Sequence, residues 1–262
     1  MTEKTNFVLV PDCDADASEP SRVPTLLNRL RRAAASAVAG LQYSPPRVLA
    51  ASPAALAVAP ASGRPRLVFG FDATASRERA WATARQVTDA LVQALPGELD
   101  VALAVHGGSR LHTFTEFTAD PNTLRDRAAS IACVAGHTQL LPILSRSLSS
   151  PNVRVVTYIG DVYEESPARG RKLADELGRR GIKLVVLHDI TDWTARRDAE
   201  LFLDLARRTG GCVLPFDASA PGRLRELLAA IAVFAVGGAD LLQDKRGELP
   251  GAVLLLQHLG PR

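Results

Sequence analysis

The sequence predicts an α/β fold built on a mostly parallel sheet, and three observations predict it. Arg66–Asp72 (RLVFGFD), Leu99–His106, Val153–Gly160 and Ile182–His188 are apolar almost throughout, the mark of strands buried on both faces. Segments with apolar residues three and four apart separate most of these runs. Alternation of such strands and helices implies βαβ crossovers, with helices on both faces of the sheet. One segment, Arg110–Phe117, alternates instead and is predicted as an antiparallel edge strand.

In chain order, residues 1 to about 65 show no steady period. Phe7–Val10 is a short strand candidate, and Thr25–Ala39 places Leu26, Leu27, Leu30 and several alanines on one side of a predicted helix. Pro45-Pro46 and the Ala/Pro/Ser run Ala50–Gly63 read as a linker. Residues 1–65 are therefore expected to be an appendage. From Arg66 the pattern sharpens. After the first strand, Ser76–Leu95 carries Ala80, Ala84, Val87, Leu91 and Leu95 on one helical face. Helices are predicted from Pro121 to about Val134 and over Thr138–Leu148. Pro167–Arg180 is a helix with Gly181 just past its end. Asp198–Arg208 is a helix stopped at Gly210-Gly211, Cys212–Phe216 is a last strand, and Pro221–Val236 is a last long helix. The predicted organisation is an appendage (1–65), one α/β domain (66–240) and a C-terminal extension (241–262).

Length and composition narrow the functional classes. The chain has 262 residues, 47% apolar and 23% charged, the make-up of a soluble globular protein. A collagen-like, coiled-coil or wholly disordered protein is excluded. Aromatics are only 5%, which leaves the core to Val, Leu, Ile and Ala. With 31 basic and 28 acidic residues the net charge is +3, a weak bias. Arg22–Arg66 holds seven arginines and no acid, but Tyr43 is its single aromatic, unlike a nucleic-acid surface. Nucleic acid is not an expected partner. Cys13, Cys133 and Cys212 are far apart and form no CxxC pair, in keeping with a reducing compartment. No apolar run approaches the roughly 20 residues of a membrane helix. A cytoplasmic protein is the expectation.

In an open α/β sheet, ligands bind beyond the carboxyl ends of the strands. Asp72 closes the first core strand there and Asp161 follows the fourth. Asp72-Ala-Thr-Ala-Ser76 places two hydroxyls at steps of two behind the carboxylate, and alternate residues of an extended turn point the same way. Thr138 adds a third hydroxyl at the mouth of another helix. Two carboxylates and three hydroxyls are hard oxygen donors suited to Mg²⁺ or Mn²⁺, and no nitrogen or sulfur set for zinc is grouped this way. The plainer alternative is that Thr74 and Ser76 cap a helix and Asp161 holds a loop. His137, Glu164 and Glu165 lie beside these residues as candidates for the rim that meets a partner, or as a solvated loop.

These residues resemble a known family. Asp72, Thr74 and Ser76, with Thr138 and Asp161, are similar to the metal-ion-dependent adhesion site of von Willebrand factor type A (VWA) domains, in which Asp-x-Ser-x-Ser, a Thr and an Asp lie on successive loops. The likeness covers roughly residues 66–237, including Thr209-Gly210-Gly211 before a short strand. It is nearest to bacterial intracellular members. It implies a three-layer Rossmann-like fold with a six-stranded sheet. It also implies a divalent cation that captures an acidic side chain of a partner protein, within multiprotein assemblies that include AAA+ ATPases. Two positions depart from the pattern: Thr74 stands where Ser is usual, and Gly160-Asp161-Val162 where Thr-Asp-Gly is commoner.

Two other functions compete. Asp72 at a strand end with Mg²⁺ also resembles haloacid-dehalogenase phosphatases, but their general acid two residues on is here Thr74, which forfeits about 10²–10⁴-fold in rate. Only Lys172 and Lys183 offer themselves as a phosphate-binding lysine. The third reading is a structural subunit without metal-dependent binding.

Overall fold

The computed structural model describes residues 63–189 and 193–259. The expected strand Phe7–Val10, the expected helix Thr25–Ala39, the linker up to residue 62 and Cys13 lie outside the described residues. Six strands form one sheet: β1 Arg66–Asp72, β2 Asp100–Gly107, β3 Arg110–Phe114, β4 Val153–Gly160, β5 Lys183–His188 and β6 Cys212–Pro215. Their order is β3-β2-β1-β4-β5-β6. All neighbours run parallel except β3, which pairs antiparallel with β2. The mostly parallel sheet and its antiparallel edge are therefore as the apolar runs and the alternating segment implied.

Eight helices are described: α1 Glu78–Arg85, α2 Ala90–Gln93, α3 Pro121–Ala129, α4 Leu140–Ser149, α5 Pro167–Arg179, α6 Trp193–Thr209, α7 Pro221–Asp244 and α8 Pro250–His258. They cover both faces of the sheet. Along β1, Leu67, Phe69 and Phe71 join a core with residues of α1, α2, α3, α7 and α8, whereas Val68 faces Ile143 and Leu144 of α4. Along β4, Val155 and Ile159 take the first side, and Val156 and Tyr158 the second with α5 and α6. The strands read as unbroken apolar runs because both alternating sets are buried, which makes three layers.

Three elements differ from expectation. The helix anticipated over Ser76–Leu95 is a 3₁₀ turn Ala75–Arg77 followed by α1 and the single turn α2. The break falls at Gln86–Asp89. Thr88 donates its hydroxyl to the Arg85 carbonyl, a local bond that competes with the helix ladder. The buried Asp89 carboxylate lies 2.6 Å from Arg125 of α3 and 3.2 Å from Arg225 of α7. The helix after Pro121 stops at Ala129, not near Val134. The last long helix continues past Val236 through a break at Gly238, whose φ of 67° and ψ of −159° only glycine adopts readily. In the C-terminal extension, α8 buries Ala252 and Leu255 in the core beside α7. Helix α7 is long and apolar enough to cross a membrane, and half of its most apolar stretch is buried inside the domain.

Candidate metal centre

Strands β1 and β4 are neighbours whose following connections leave in opposite directions along the sheet, to β2 on one side and β5 on the other. That switch point opens a crevice at the carboxyl ends of the strands, and Asp72 and Asp161 stand on its two sides.

Asp72 is fully buried. Its Oδ1 accepts the Thr74 main-chain N–H at 3.0 Å, and its Oδ2 has no hydrogen-bond partner among the described residues. The Thr74 and Ser76 hydroxyls are 3.2 Å apart, so the alternating residues after the strand do meet. Behind the carboxylate, His106 Nδ1 is 3.6 Å from Asp72 Oδ1. The other ring nitrogen of His106 is 2.8 Å from the Tyr158 hydroxyl. Burial pushes Asp72 up to about 6; the Thr74 N–H opposes that shift and the nearby Asp161 charge adds to it. Burial pushes His106 down to about 4 and holds the Tyr158 hydroxyl well above its ordinary value. A protonated Tyr158 donating to Nε2 leaves the neutral imidazole with its proton on Nδ1, facing Asp72. At 3.6 Å that nitrogen is too far to hydrogen-bond Asp72, so the Thr74 N–H is the donor to Oδ1.

Asp161 holds its own turn, accepting the Val162 N–H at 2.8 Å through Oδ1. Its carbonyl accepts from His188 Nε2 at 2.9 Å. Thr138 is nearly buried and is fixed to the segment that follows Asp161. Its hydroxyl accepts the Glu164 N–H at 3.2 Å, while its own N–H donates to the Glu164 carboxylate at 2.8 Å. The two loops that carry Thr138 and Asp161 are locked together in this way. Glu165 accepts the Leu141 N–H at 2.8 Å, capping α4. His137 is exposed, 3.2 Å from Glu164. Of the three rim candidates, Glu164 and Glu165 bind main-chain N–H groups of residues 138 and 141. His137 is the most exposed of the three.

The structure adds residues that sequence reasoning passed over. Arg77 follows Ser76 and is buried; its Nη1 is 2.7 Å from Asp189 Oδ2 and 3.5 Å from Asp161 Oδ2. Asp189 follows β5 as Asp161 follows β4, so an apolar run ending in an acid was the available signal, and it occurs three times. Lys183 opens β5, at the end of the sheet opposite Asp72, and so supplies no phosphate contact there.

The donor set fits a hard divalent ion. A buried carboxylate oxygen without a partner costs about 1–3 kcal/mol, and Thr74 and the Asp161 charge both act on the same carboxylate. Among the described residues no group of three His, Cys, Asp or Glu is placed to hold a metal. Asp72, Thr74 and Ser76 form one bonded group. Asp161 acts on Asp72 electrostatically, and Thr138 is tied through Glu164 to the loop that carries Asp161.

No protein-family profile matches the sequence, and no curated protein matches it. Solved structures match in fold. A von Willebrand factor type A protein from Catenulispora acidiphila aligns with a TM-score of 0.53 at 16% identity, over 67% of this chain and 43% of that one. Proximal thread matrix protein 1 from the mussel byssus, in a structure with zinc occupying its adhesion-site motif, gives 0.51 at 13%, over 65% and 46%. The pilus adhesin SpaC from Lactobacillus rhamnosus GG gives 0.52 at 10%, over 67% and 31%. This chain spans less than half the length of each. At these identities the likeness carries the fold alone: the chain has a VWA-type three-layer fold.

Proposed function

We propose that this chain is a cation-dependent protein-binding module of the bacterial intracellular VWA type. A bound Mg²⁺ or Mn²⁺, held by Asp72, Thr74, Ser76, Thr138 and Asp161, captures an acidic side chain of a partner protein. The unpartnered Oδ2 of buried Asp72, beside the Thr74–Ser76 hydroxyl pair at the sheet's switch point, carries the reading. The VWA fold supports it, since structures of that fold include an adhesion-site motif occupied by a divalent ion. Hydroxyl ligands are neutral, so the two acids just balance the ion and leave it able to attract another carboxylate. His137, exposed on the rim, is the partner-facing side chain of this reading. A multiprotein assembly, such as one containing an AAA+ ATPase, is the proposed setting. Cys133 and Cys212, both free, agree with a cytoplasmic one.

Catalysis is not part of the reading, because Thr74 occupies the place of the general acid and Lys183 lies at the far end of the sheet. Calorimetric titration tests the proposal: the parent binds Mg²⁺ or Mn²⁺, and Asp72→Ala, with an unchanged circular dichroism spectrum, binds neither. Equal binding by both proteins would refute it.

A further inference from the structure

We infer that Arg77 is a built-in rival of the bound cation for Asp161 and so sets how tightly the centre holds its metal; this rests on the metal-binding reading above. The Arg77 side chain is 6% exposed, and its Nη1 is shared between Asp189 at 2.7 Å and Asp161 at 3.5 Å. Asp189 balances the guanidinium charge at the shorter distance, so the approach to Asp161 is additional to that pair. A buried arginine kept for stability alone satisfies its donors, because open N–H groups inside a protein are costly. Among the described residues, Nε and Nη2 of Arg77 have no hydrogen-bond partner. The residue places a positive charge between two acids without completing a hydrogen-bond network.

A cation entering between Asp72 and Asp161 must share Asp161 with this guanidinium, and it meets like-charge repulsion in a poorly screened setting. Glu164 and Glu165 keep their charge while accepting main-chain N–H groups, so they soften that repulsion, and the contest for Asp161 itself is left to Arg77. The consequence is a centre that binds its ion less tightly than two acids and three hydroxyls otherwise would. It also leaves more of the ion's charge for an incoming carboxylate.

Titration calorimetry with Mg²⁺ and Mn²⁺ on the full chain compares the parent with Arg77→Gln, Arg77→Lys and the double variant Arg77→Gln/Asp189→Asn. Thermal melts in EDTA check folding. Arg77→Gln is expected to bind both ions about tenfold more tightly or better. Arg77→Lys keeps the charge and stays near the parent, which a merely structural role would not produce. The double variant has the parent's net charge and still binds more tightly, because Asp161 is released; it carries the same criterion should Arg77→Gln unfold. Affinities in the glutamine variants equal to or weaker than the parent's overturn the inference and leave the metal centre standing. Absence of binding in all four proteins overturns the centre and the inference with it.

Discussion

Asp72 and His106 are buried side by side, and burial drives both toward their neutral forms. Their effects on stability therefore oppose each other as the pH changes. The raised Asp72 stabilises the metal-free fold below its unfolded value of 3.8, and that contribution is lost as the pH rises through about 6. The lowered His106 contributes above its unfolded value of 6.5, and loses that contribution as the pH falls through about 4. Between about pH 4 and 6 the two offset. In EDTA, Asp72→Asn should fall behind the parent by up to about 1.4 kcal/mol per pH unit as the pH drops from 6 to 4, measured by urea unfolding at each pH. A stability difference that does not move over that interval would count against the buried, unpaired state of Asp72. The Asp-x-Thr-x-Ser spacing could be read from the sequence because its three members lie within five residues and meet through local geometry. Arg77 and Asp189 could not be paired in the same way: 112 positions separate them, and only the fold brings β5 beside the crevice.

Strand β4 shows what holds position 160 to a glycine. A side-chain carbon at residue 160 would come within 2.5 Å of the Tyr158 ring, which leans along the strand to reach His106. Introducing the commoner residue, Gly160→Thr, is therefore expected to cost about 1–3 kcal/mol by overpacking. Adding Tyr158→Val should recover part of that loss, with both effects read from denaturant midpoints. If Gly160→Thr melts like the parent, the ring does not govern this position. The strands were legible because burial on both faces gives an unbroken apolar signature. The interruption at Gln86–Asp89 was not, because the face set by Ala80, Ala84, Val87 and Leu91 keeps its helical spacing straight through it. Long-range contacts of Asp89 with Arg125 and Arg225 decide that geometry, and periodicity does not encode them. Glu164 and Glu165 illustrate the same limit: two adjacent acids in a loop read as solvated, yet their carboxylates bond the main chain of residues 138 and 141.

The domain as a whole brings its oxygen donors to one rim from segments that are distant in the chain, so loading the ion should tighten the entire fold. Thermal melting in millimolar Mg²⁺ is expected to exceed that in EDTA by an amount that grows with the logarithm of ion concentration, and Asp72→Asn should abolish the difference. A parent that melts identically in both would argue that no ion binds. The rim has one wall that the site residues do not supply. β2 reverses into β3 through Gly108 and Ser109, both at positive φ, the hallmark of a tight two-residue turn. There the Ser109 hydroxyl accepts the His137 N–H, and the Gly108 N–H donates to the Val134 carbonyl. Because the edge strand β3 doubles back from β2, the tip of the hairpin buttresses the loop carrying Thr138. Lengthening that hairpin by a single residue would detune the threonine without touching any ligand, which makes an unremarkable border of the sheet a place where binding strength can be adjusted from outside.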